Sequence, residues 1–437
     1  MAETYANTPL PPESLVTTHG GERHASWLEL FFDLVAVAGV AQLAHLLHGE
    51  PGWRDVGLYV VLYLAFWTNW LSLTLYGNVA GERTRTRILL IGMFGLTVMA
   101  AAVHGVQQGE RGTAFAVAYA ATRLLGGNAF GDRREILVDW PTVSFTAGAV
   151  PWTVSIFVHG PARPWLWAAG VAIDLYVTFV FSREHLLHAL RHRAERHQKR
   201  EAAREAEQKR EAEQERERTA GREKAPERSR AVAVAHTDTE HLSERLGLFS
   251  IIVLGEGVYQ IVQSASGAHW GRGLYVTVPG AFLLLVLLWS LSLNRGRGGI
   301  PCLGPEAPPT RVLLGLHCFV TGAVAALAAG LGVLVEHADG GLPRHTAWMM
   351  ATALGTYLVI AAGLTHWSAS RGVSRLLIAT LPALALCALV GLSDGTGRRP
   401  AVLVWLLVLA AAWFSGRLRS DTPGPRARRP ASAVGQP

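Results

Sequence analysis

The stretch Trp27-Leu-Glu-Leu-Phe-Phe-Asp-Leu-Val-Ala-Val-Ala-Gly-Val-Ala-Gln-Leu-Ala-His-Leu-Leu47 decides the fold of this chain. A helix crosses the hydrocarbon core of a bilayer with about 20 mostly apolar residues, and this stretch is long enough. It nevertheless carries Glu29 and Asp33, which are four residues apart and share one helix face. A carboxylate within a span costs on the order of 3 kcal/mol in insertion experiments. We therefore expect this face to contact protein rather than lipid.

The same kind of apolar block recurs along the whole chain. Half of the 437 residues are hydrophobic, and they are gathered into blocks of about 20 separated by basic loops. This pattern predicts an all-α polytopic membrane protein with about twelve transmembrane helices, and hence contact with a lipid bilayer. The predicted spans are 27–47, 56–76, 87–106, 112–130, 136–158, 165–181, 246–265, 273–293, 311–336, 347–367, 373–392 and 401–414.

The polar segments divide the chain into five parts. We predict a disordered cytoplasmic tail at 1–26, a six-helix membrane unit at 27–182, a second at 236–416 and a disordered tail at 417–437. Between the units, 183–235 is rich in Arg, Glu, Gln, Lys, Ala and His, which favour helix but provide no apolar seam. This segment is predicted to be a solvated cytoplasmic helix or linker.

The two membrane units resemble each other. Shifted by 218 positions, the first span places Phe31 on Phe249 and Gln42 on Gln260, among other identities. Later spans repeat in the same order, as with Thr86-Arg-Ile-Leu-Leu and Thr310-Arg-Val-Leu-Leu. Because six is an even number, both units enter the membrane from the same side. The pattern predicts two parallel six-helix repeats.

Charge and cysteine content narrow the function classes. The net charge of +7 comes from basic residues in loops and tails beside apolar blocks, which is a topology signal and does not favour a nucleic-acid partner. Their distribution predicts both termini in the cytoplasm. The three cysteines have no metal-ligand spacing, and no phosphate loop or dinucleotide fingerprint occurs. We therefore expect no metal, no cofactor and no enzymatic activity.

Acidic residues within spans are candidates for binding a substrate or a proton. Glu256 lies ten residues past Leu246, about 15 Å along the helix, and is expected near the middle of the bilayer. Gln260 continues its polar face one turn later. The alternative for Glu256 is a neutral acid hydrogen-bonded between helices. The full set of candidates is Glu29, Asp33, Glu256, Gln260 and Asp174.

A buried arginine in the fourth span requires a carboxylate partner. Arg123 lies in an apolar block, and Asp33, Asp139 and Asp174 are all possible partners from the sequence. A structural pair of Asp33 with an arginine such as Arg123 is the alternative to a functional role for Asp33. The structural ion-pair candidates are Arg123, Asp139, Glu244 and Arg245.

Two motifs carry a family resemblance. The sequences Glu29-Leu-Phe-Phe-Asp-Leu-Val35 and Glu244-Arg-Leu-Gly-Leu-Phe-Ser-Ile-Ile-Val-Leu-Gly-Glu256 resemble the bacterial low temperature requirement protein A family. The resemblance implies a bacterial integral membrane protein of the cytoplasmic membrane and no defined reaction. Its motif positions correspond to Glu29, Phe31, Phe32, Asp33, Glu244, Arg245, Gly247, Gly255 and Glu256. The long Arg/Glu-rich insert departs from a compact member.

Three functions remain open. The repeats and the buried acids favour a secondary transporter or ion-coupled permease. The charged segment from Arg183 to Arg230 favours a membrane sensor or scaffold that binds anionic lipid or a soluble partner. Paired carboxylates could also serve a lipid-modifying enzyme, although no nucleophile accompanies them.

Overall fold

The computed structural model describes residues 25–49, 51–81, 84–131, 135–137, 147–180, 233–235, 237–303, 307–369, 373–393 and 399–419. The predicted N-terminal tail up to residue 24, Asp139 and the segment from Arg183 to Arg230 lie outside these residues. So does the predicted C-terminal tail beyond residue 419, whereas the residues up to Arg419 belong to the last helix.

In the described residues, each predicted membrane unit contains six helices. The first has α1 (Trp27–His45), α2 (Trp53–Ala80), α3 (Thr86–Gln107), α4 (Gly112–Gly131), α5 (Ala149–Val154) and α6 (Arg163–Val180). The second has α7 (Thr239–Gly267), α8 (Arg272–Trp289), α9 (Thr310–Glu336), α10 (Arg344–Ala369), α11 (Val373–Leu392) and α12 (Pro400–Arg419). A π-helical turn, Ser290–Asn294, extends α8. Two short strands, β1 (Glu135–Leu137) and β2 (Ala233–Ala235), pair in parallel.

Within the described residues, nine helices are long and apolar enough to cross a membrane: α1, α2, α3 and α7 to α12. The prediction of an all-α polytopic membrane protein is confirmed. Helices α4 and α6 are 20 and 18 residues long, and each carries a charge in its interior, Arg123 and Asp174 respectively. The total of twelve spans stays a prediction.

The predicted fifth span is wrong as a continuous helix over 136–158. Residues 135–137 form β1, and α5 covers only Ala149–Val154. Pro151 is tolerated because it lies in the first turn of α5, where backbone N–H groups have no helical partner anyway. Gly160 lies between α5 and α6 and has a φ of 87°, which a right-handed helix does not allow. The chain therefore turns there before α6 begins.

Local capping explains where the two central helices begin. The Ser26 hydroxyl accepts a hydrogen bond from the Glu29 backbone N–H, and the Glu29 carboxylate accepts one from the Ser26 N–H, which forms a capping box. At α7 the Asp238 carboxylate accepts from the N–H groups of Glu240 and His241. Helix α7 therefore begins at Thr239, seven residues before the predicted start of its span.

The two units share an order of packing. In each, the first helix packs against the third, the third against the fourth, the fourth against the fifth and the fifth against the sixth, while the second contacts the sixth. Between the units, α1 packs against α7 and α9, and α2 contacts the same two helices. The duplication itself stays a prediction, and this shared order supports it.

The buried residues of α1 coincide with buried residues of α7 at a shift of 217 positions, not at the shift of 218 that aligns the identical residues. All nine buried positions of α1, from Glu29 to Ala44, fall on buried positions of α7 after that shift, and Phe32 then coincides with Phe249. The shift by 218 would instead match Phe31, which is 54% exposed, with Phe249, which is 0% exposed. The residues that are identical at a shift of 218 positions therefore do not occupy equivalent positions in the two helices.

Candidate functional site

A buried ion pair joins the two units. Arg245 of α7 donates from Nε to Asp33 Oδ2 at 2.9 Å and from Nη2 to Asp33 Oδ1 at 2.7 Å. Trp70 of α2 donates from its indole Nε1 to Asp33 Oδ1 at 2.9 Å. Asp33 is 0% exposed and Arg245 1%. Two parallel N–H···O bonds are the strongest arrangement of an arginine and a carboxylate, and they fix the relative position of the two helices.

Glu29 adds a second carboxylate to the same arginine. Arg245 Nη1 lies 3.3 Å from Glu29 Oε1, and His241 Nε2 lies 3.5 Å from Glu29 Oε2. Gly77 of α2 passes so close that a Cβ there would lie 3.2 Å from Glu29 Oε1. One Glu29 side chain thus caps α1 and also contacts the second unit. We call Glu29, Asp33, Trp70, His241 and Arg245 the ion-pair cluster.

Asn78 determines the tautomer of His241. The Asn78 side chain accepts from the Asp238 N–H and donates to the Asp238 carbonyl, both at 2.9 Å, so its amide orientation is fixed. The same Nδ2 lies 3.1 Å from His241 Nδ1, which must therefore accept. A neutral His241 then carries its proton on Nε2, the atom that faces Glu29. The ion-pair cluster consequently presents donors to both of its carboxylates.

A layer of buried, mostly apolar side chains, called the apolar layer below, lies beyond the ion-pair cluster. The ring centroids of Trp70 and Phe249 are 4.2 Å apart, and His317 of α9 lies within 6.1 Å of Trp70 and 5.7 Å of Phe249. Further along, the buried faces of α1 and α7 contain Ala36, Val40 and Val253, each 0% exposed. Along α1 and α7 these buried side chains lie between the polar groups on either side of them.

Glu256 lies on the far side of this layer. Gln260 donates from Nε2 to Glu256 Oε1 at 2.7 Å, and the two side chains are 7% and 2% exposed. Glu256 also interacts electrostatically with His45, in the last turn of α1. Since Asp33 meets Arg245 and His45 lies near Glu256, α1 and α7 run in the same direction. Glu256 is 11 residues past Arg245, roughly 16 Å along α7. Its expected place near the middle of the bilayer stays a prediction.

A separate charged cluster lies inside the first unit. Arg123 Nη2 is 3.4 Å from Asp174 Oδ1, and Nη1 donates to Ser72 Oγ at 3.2 Å. Tyr119 donates to Asp174 Oδ2 at 3.3 Å. Among the described residues Asp174 is an ion-pair partner of Arg123, and the alternative pairing of Asp33 with Arg123 is wrong, because Asp33 pairs with Arg245. Asp139, the third candidate, lies outside the described residues. Gly148 makes room, since a Cβ there would meet the Asp174 carboxylate.

The structure thus divides the predicted site residues into three groups. Glu29, Asp33 and Arg245 come together between the units, Glu256 pairs with Gln260, and Asp174 pairs with Arg123. Glu244 accepts a hydrogen bond from the Ala25 N–H at 3.2 Å, at the edge of the ion-pair cluster. Asp33 and Glu256 contact different residues, and the apolar layer lies between them.

Sequence reasoning missed three members of this arrangement. His241 and Asn78 lie near the ends of their helices, where polar residues are common. Trp70 lies in an apolar block, and nothing in its neighbours shows that its indole faces a carboxylate. The spacing of His241 and Arg245, four residues apart on one face of α7 and thus matching Glu29 and Asp33 on α1, is the signal that could have found the pairing.

These observations define an all-α, multi-pass membrane protein whose two units are joined by a buried ion-pair cluster. The chain matches the family model of the bacterial low temperature requirement A protein (LtrA) over residues 24–199 and 223–412. It belongs to that family. No curated protein and no solved structure matches the chain. Both motifs that carry the resemblance lie in the matched ranges. The motif residues that make contacts at the interface of the two units are Glu29, Asp33, Glu244 and Arg245.

Proposed function

We propose that the chain is a secondary transporter or ion-coupled permease of the bacterial cytoplasmic membrane, not an enzyme, with both termini in the cytoplasm. The observation that carries this proposal is the ion-pair cluster, in which both carboxylates belong to α1 of the first unit and Arg245 and His241 belong to α7 of the second. Ionisable groups are costly inside a membrane and occur there where they have a function.

The location of the cluster supports a gate. Transporters of two related units work by rocking one unit against the other around a central site. A contact composed only of fixed apolar packing resists such motion, whereas charged groups can exchange an internal partner for water or a bound ion. Opening the bundle at this end would hydrate Glu29 and Asp33, while the apolar layer keeps the other end closed.

Reconstitution tests the proposal. Proteoliposomes loaded with a pH-sensitive dye and placed under a proton gradient are challenged with mixtures of amines, amino acids and organic acids. We expect a solute-dependent proton flux in the wild type and its loss in Asp33→Asn and in Glu256→Gln. Glu336→Gln is the control, because it removes the same charge from an exposed pair with His48. Full coupled flux in both test variants would overturn the mechanism.

The proposed orientation has its own test. Green fluorescent protein or alkaline phosphatase is fused after residue 419, where α12 ends. A cytoplasmic C-terminus gives fluorescence and no phosphatase activity, and the reverse result would contradict the proposed topology.

A sensor or scaffold is the second candidate, and one observation favours it. The family match is interrupted at 200–222, inside the segment from Arg183 to Arg230 that would bind anionic lipid or a soluble partner. Deleting 200–222 should then abolish the cellular phenotype and leave any reconstituted flux unchanged. An unchanged phenotype would exclude this role for the insert.

A further inference from the structure

Helices α11 and α12 form part of the outer surface of the second unit. Among the described residues both are candidate membrane spans, and α11 is the least buried of the nine. The two helices pack against each other, and only a short connection separates Leu392 at the end of α11 from Pro400 at the start of α12. They therefore run in opposite directions, and the start of α11 lies at the same side of the membrane as the end of α12.

Trp413 of α12 links these two ends. Its indole Nε1 donates to the Ile378 carbonyl of α11 at 3.3 Å, and the guanidinium carbon of Arg417 lies 4.4 Å from the centroid of the Trp413 ring. Such a cation–π contact holds the arginine over the aromatic face. Arg417 is four residues past Trp413 and Arg375 is three before Ile378, so both lie about one turn nearer to the ends of these helices than the indole does. Both arginines are exposed.

Exposed apolar side chains continue this surface in the opposite direction. Ile378 is 54% exposed, Leu381 of the next turn of α11 is 58% exposed, and Leu409, four residues before Trp413, is 53% exposed. These spacings place Leu381 on the face of Ile378 and Leu409 on the face of Trp413. Leu381 is six residues past Arg375, roughly 9 Å along the helix. The surface thus changes from cationic to apolar over a height comparable to one headgroup region of a bilayer, about 5–8 Å.

The charge around this surface favours an anion. Three further arginines lie at the neighbouring ends of α8 and α9: Arg295, Arg297 and Arg311. The described residues at these ends of α8 to α12 contain no Asp or Glu: 290–303, 307–320, 362–369, 373–380 and 409–419. A headgroup that carries a phosphate complements this charge, and its acyl chains complement the apolar side chains below.

We propose that the outer surface of α11 and α12 binds an anionic phospholipid of the bilayer. We call this surface the lipid site: Arg375 and Arg417 hold the lipid phosphate, and an acyl chain lies along Leu381 and Leu409. Arginine presents several N–H donors to phosphate oxygens, and basic residues at the ends of membrane spans recognise anionic headgroups. Trp413 lies between the two levels, where an indole is favoured at the interface of membrane and water. The lipid site goes beyond the transporter proposal and does not depend on transport.

Native mass spectrometry of the purified full-length chain in detergent micelles tests the lipid site. The probes are phosphatidylglycerol and phosphatidylcholine with the same acyl chains, titrated separately, and the fraction of protein that retains one lipid gives each dissociation constant. We expect phosphatidylglycerol to bind about tenfold more tightly than phosphatidylcholine. The double variant Arg375→Gln, Arg417→Gln should lower this ratio to about threefold or less, because its phosphate contacts are gone.

A matched double variant controls for net charge. Arg272 and Arg344 are exposed and begin α8 and α10, at the opposite side of the second unit. Arg272→Gln, Arg344→Gln therefore removes the same charge as the test variant and should keep the wild-type ratio. An equal loss in both double variants would overturn the lipid site.

A second variant leaves both arginines of the lipid site in place. Trp413→Leu removes the ring over which Arg417 lies and should lower the ratio about threefold. Trp405→Leu is its control, since Trp405 also donates its indole N–H to a neighbouring helix, to the Val276 carbonyl at 3.3 Å, but lies about two turns deeper in α12. Both variants are compared after elution as the wild type does.

Three further results would overturn the lipid site. The first is equal affinity of the wild type for the two lipids. The second is an unchanged ratio in Arg375→Gln, Arg417→Gln, which would assign the preference to other basic residues, such as the segment from Arg183 to Arg230 that every variant retains. The third is displacement of phosphatidylglycerol by sn-glycerol 3-phosphate, because a ligand without acyl chains should not compete for a lipid site.

Discussion

Arg245 and Asp33 are 212 positions apart in the chain and share two hydrogen bonds of 2.9 and 2.7 Å across the interface of the two membrane units. The pair fixes the level at which α1 and α7 meet. Because Glu29 shares the same guanidinium, one arginine balances two buried carboxylates.

Replacing Arg245 alone should lower the free energy of unfolding more than replacing Arg245 and Asp33 together. We expect Arg245→Leu to lower the free energy of unfolding by about 3–5 kcal/mol, since it leaves buried carboxylates without a counter-charge. Adding Asp33→Asn to that variant should restore part of the loss, because one uncompensated charge disappears. Thermal unfolding in detergent measures both. A double variant no more stable than Arg245→Leu would show that Asp33 is not the partner that matters.

The indole of Trp70 should stabilise the protein through its N–H group as well as through its size. Trp70→Phe removes a hydrogen bond to a charged group, worth about 1.5–3 kcal/mol, in addition to leaving a smaller ring. Trp152→Phe is the matched control, since Trp152 is also 0% exposed and its Nε1 makes no hydrogen bond in the described part of the chain. We expect Trp70→Phe to be the more destabilised of the two in thermal unfolding. Equal losses would mean that packing alone explains the effect.

Close packing of α1 on α2 should make Gly39 intolerant of a side chain. A Cβ at Gly39 would overlap the Phe66 ring, the nearest carbon lying at 2.1 Å. We expect Gly39→Ala to cost about 1–3 kcal/mol, as overpacking does, and Phe66→Leu to relieve it. Gly255→Ala is the control, because nothing lies within 4 Å of its Cβ. That variant should be neutral or stabilised by up to about 1 kcal/mol from helix propensity, and an equal loss at both sites would contradict the packing.

The glycine run after α8 should behave as a rigid hairpin. Arg297 and Ile300 exchange two backbone hydrogen bonds of 3.1 Å around Gly298 and Gly299, whose φ values are 60° and 73°. A Cβ on Gly299 would overlap Ser250 Oγ of α7. Gly299→Ala therefore combines backbone strain of about 1–2 kcal/mol with a clash.

Gly49→Ala separates these two contributions. Gly49 has a φ of 83° and open space around its Cβ, so only the strain applies. We expect its thermal midpoint to fall less than that of Gly299→Ala. The reverse order would show that the hairpin does not pack against α7.

Several parts of the site could be predicted from the sequence, and the pairings could not. Buried charges in apolar spans identified Asp33, Glu256, Asp174 and Arg123, because a charge in a membrane must face protein. The sequence left Arg123 with three candidate partners, and only packing within the first unit brings Asp174 against it, while Asp33 pairs with Arg245. The same packing placed the indole of Trp70 against Asp33.

The sequence by itself determined that this chain is a multi-pass helical membrane protein, since block length and apolar content are local properties of the chain. It also determined its family, through two motifs that each lie in one helix. Only the tertiary structure decided that the acids of one motif meet the arginine of the other, and that Glu256 lies beyond an apolar layer from Asp33. Contacts between helices depend on rotation and depth, and a shift of one residue between α1 and α7 places five of the nine buried positions of α1 on positions of α7 that are not buried.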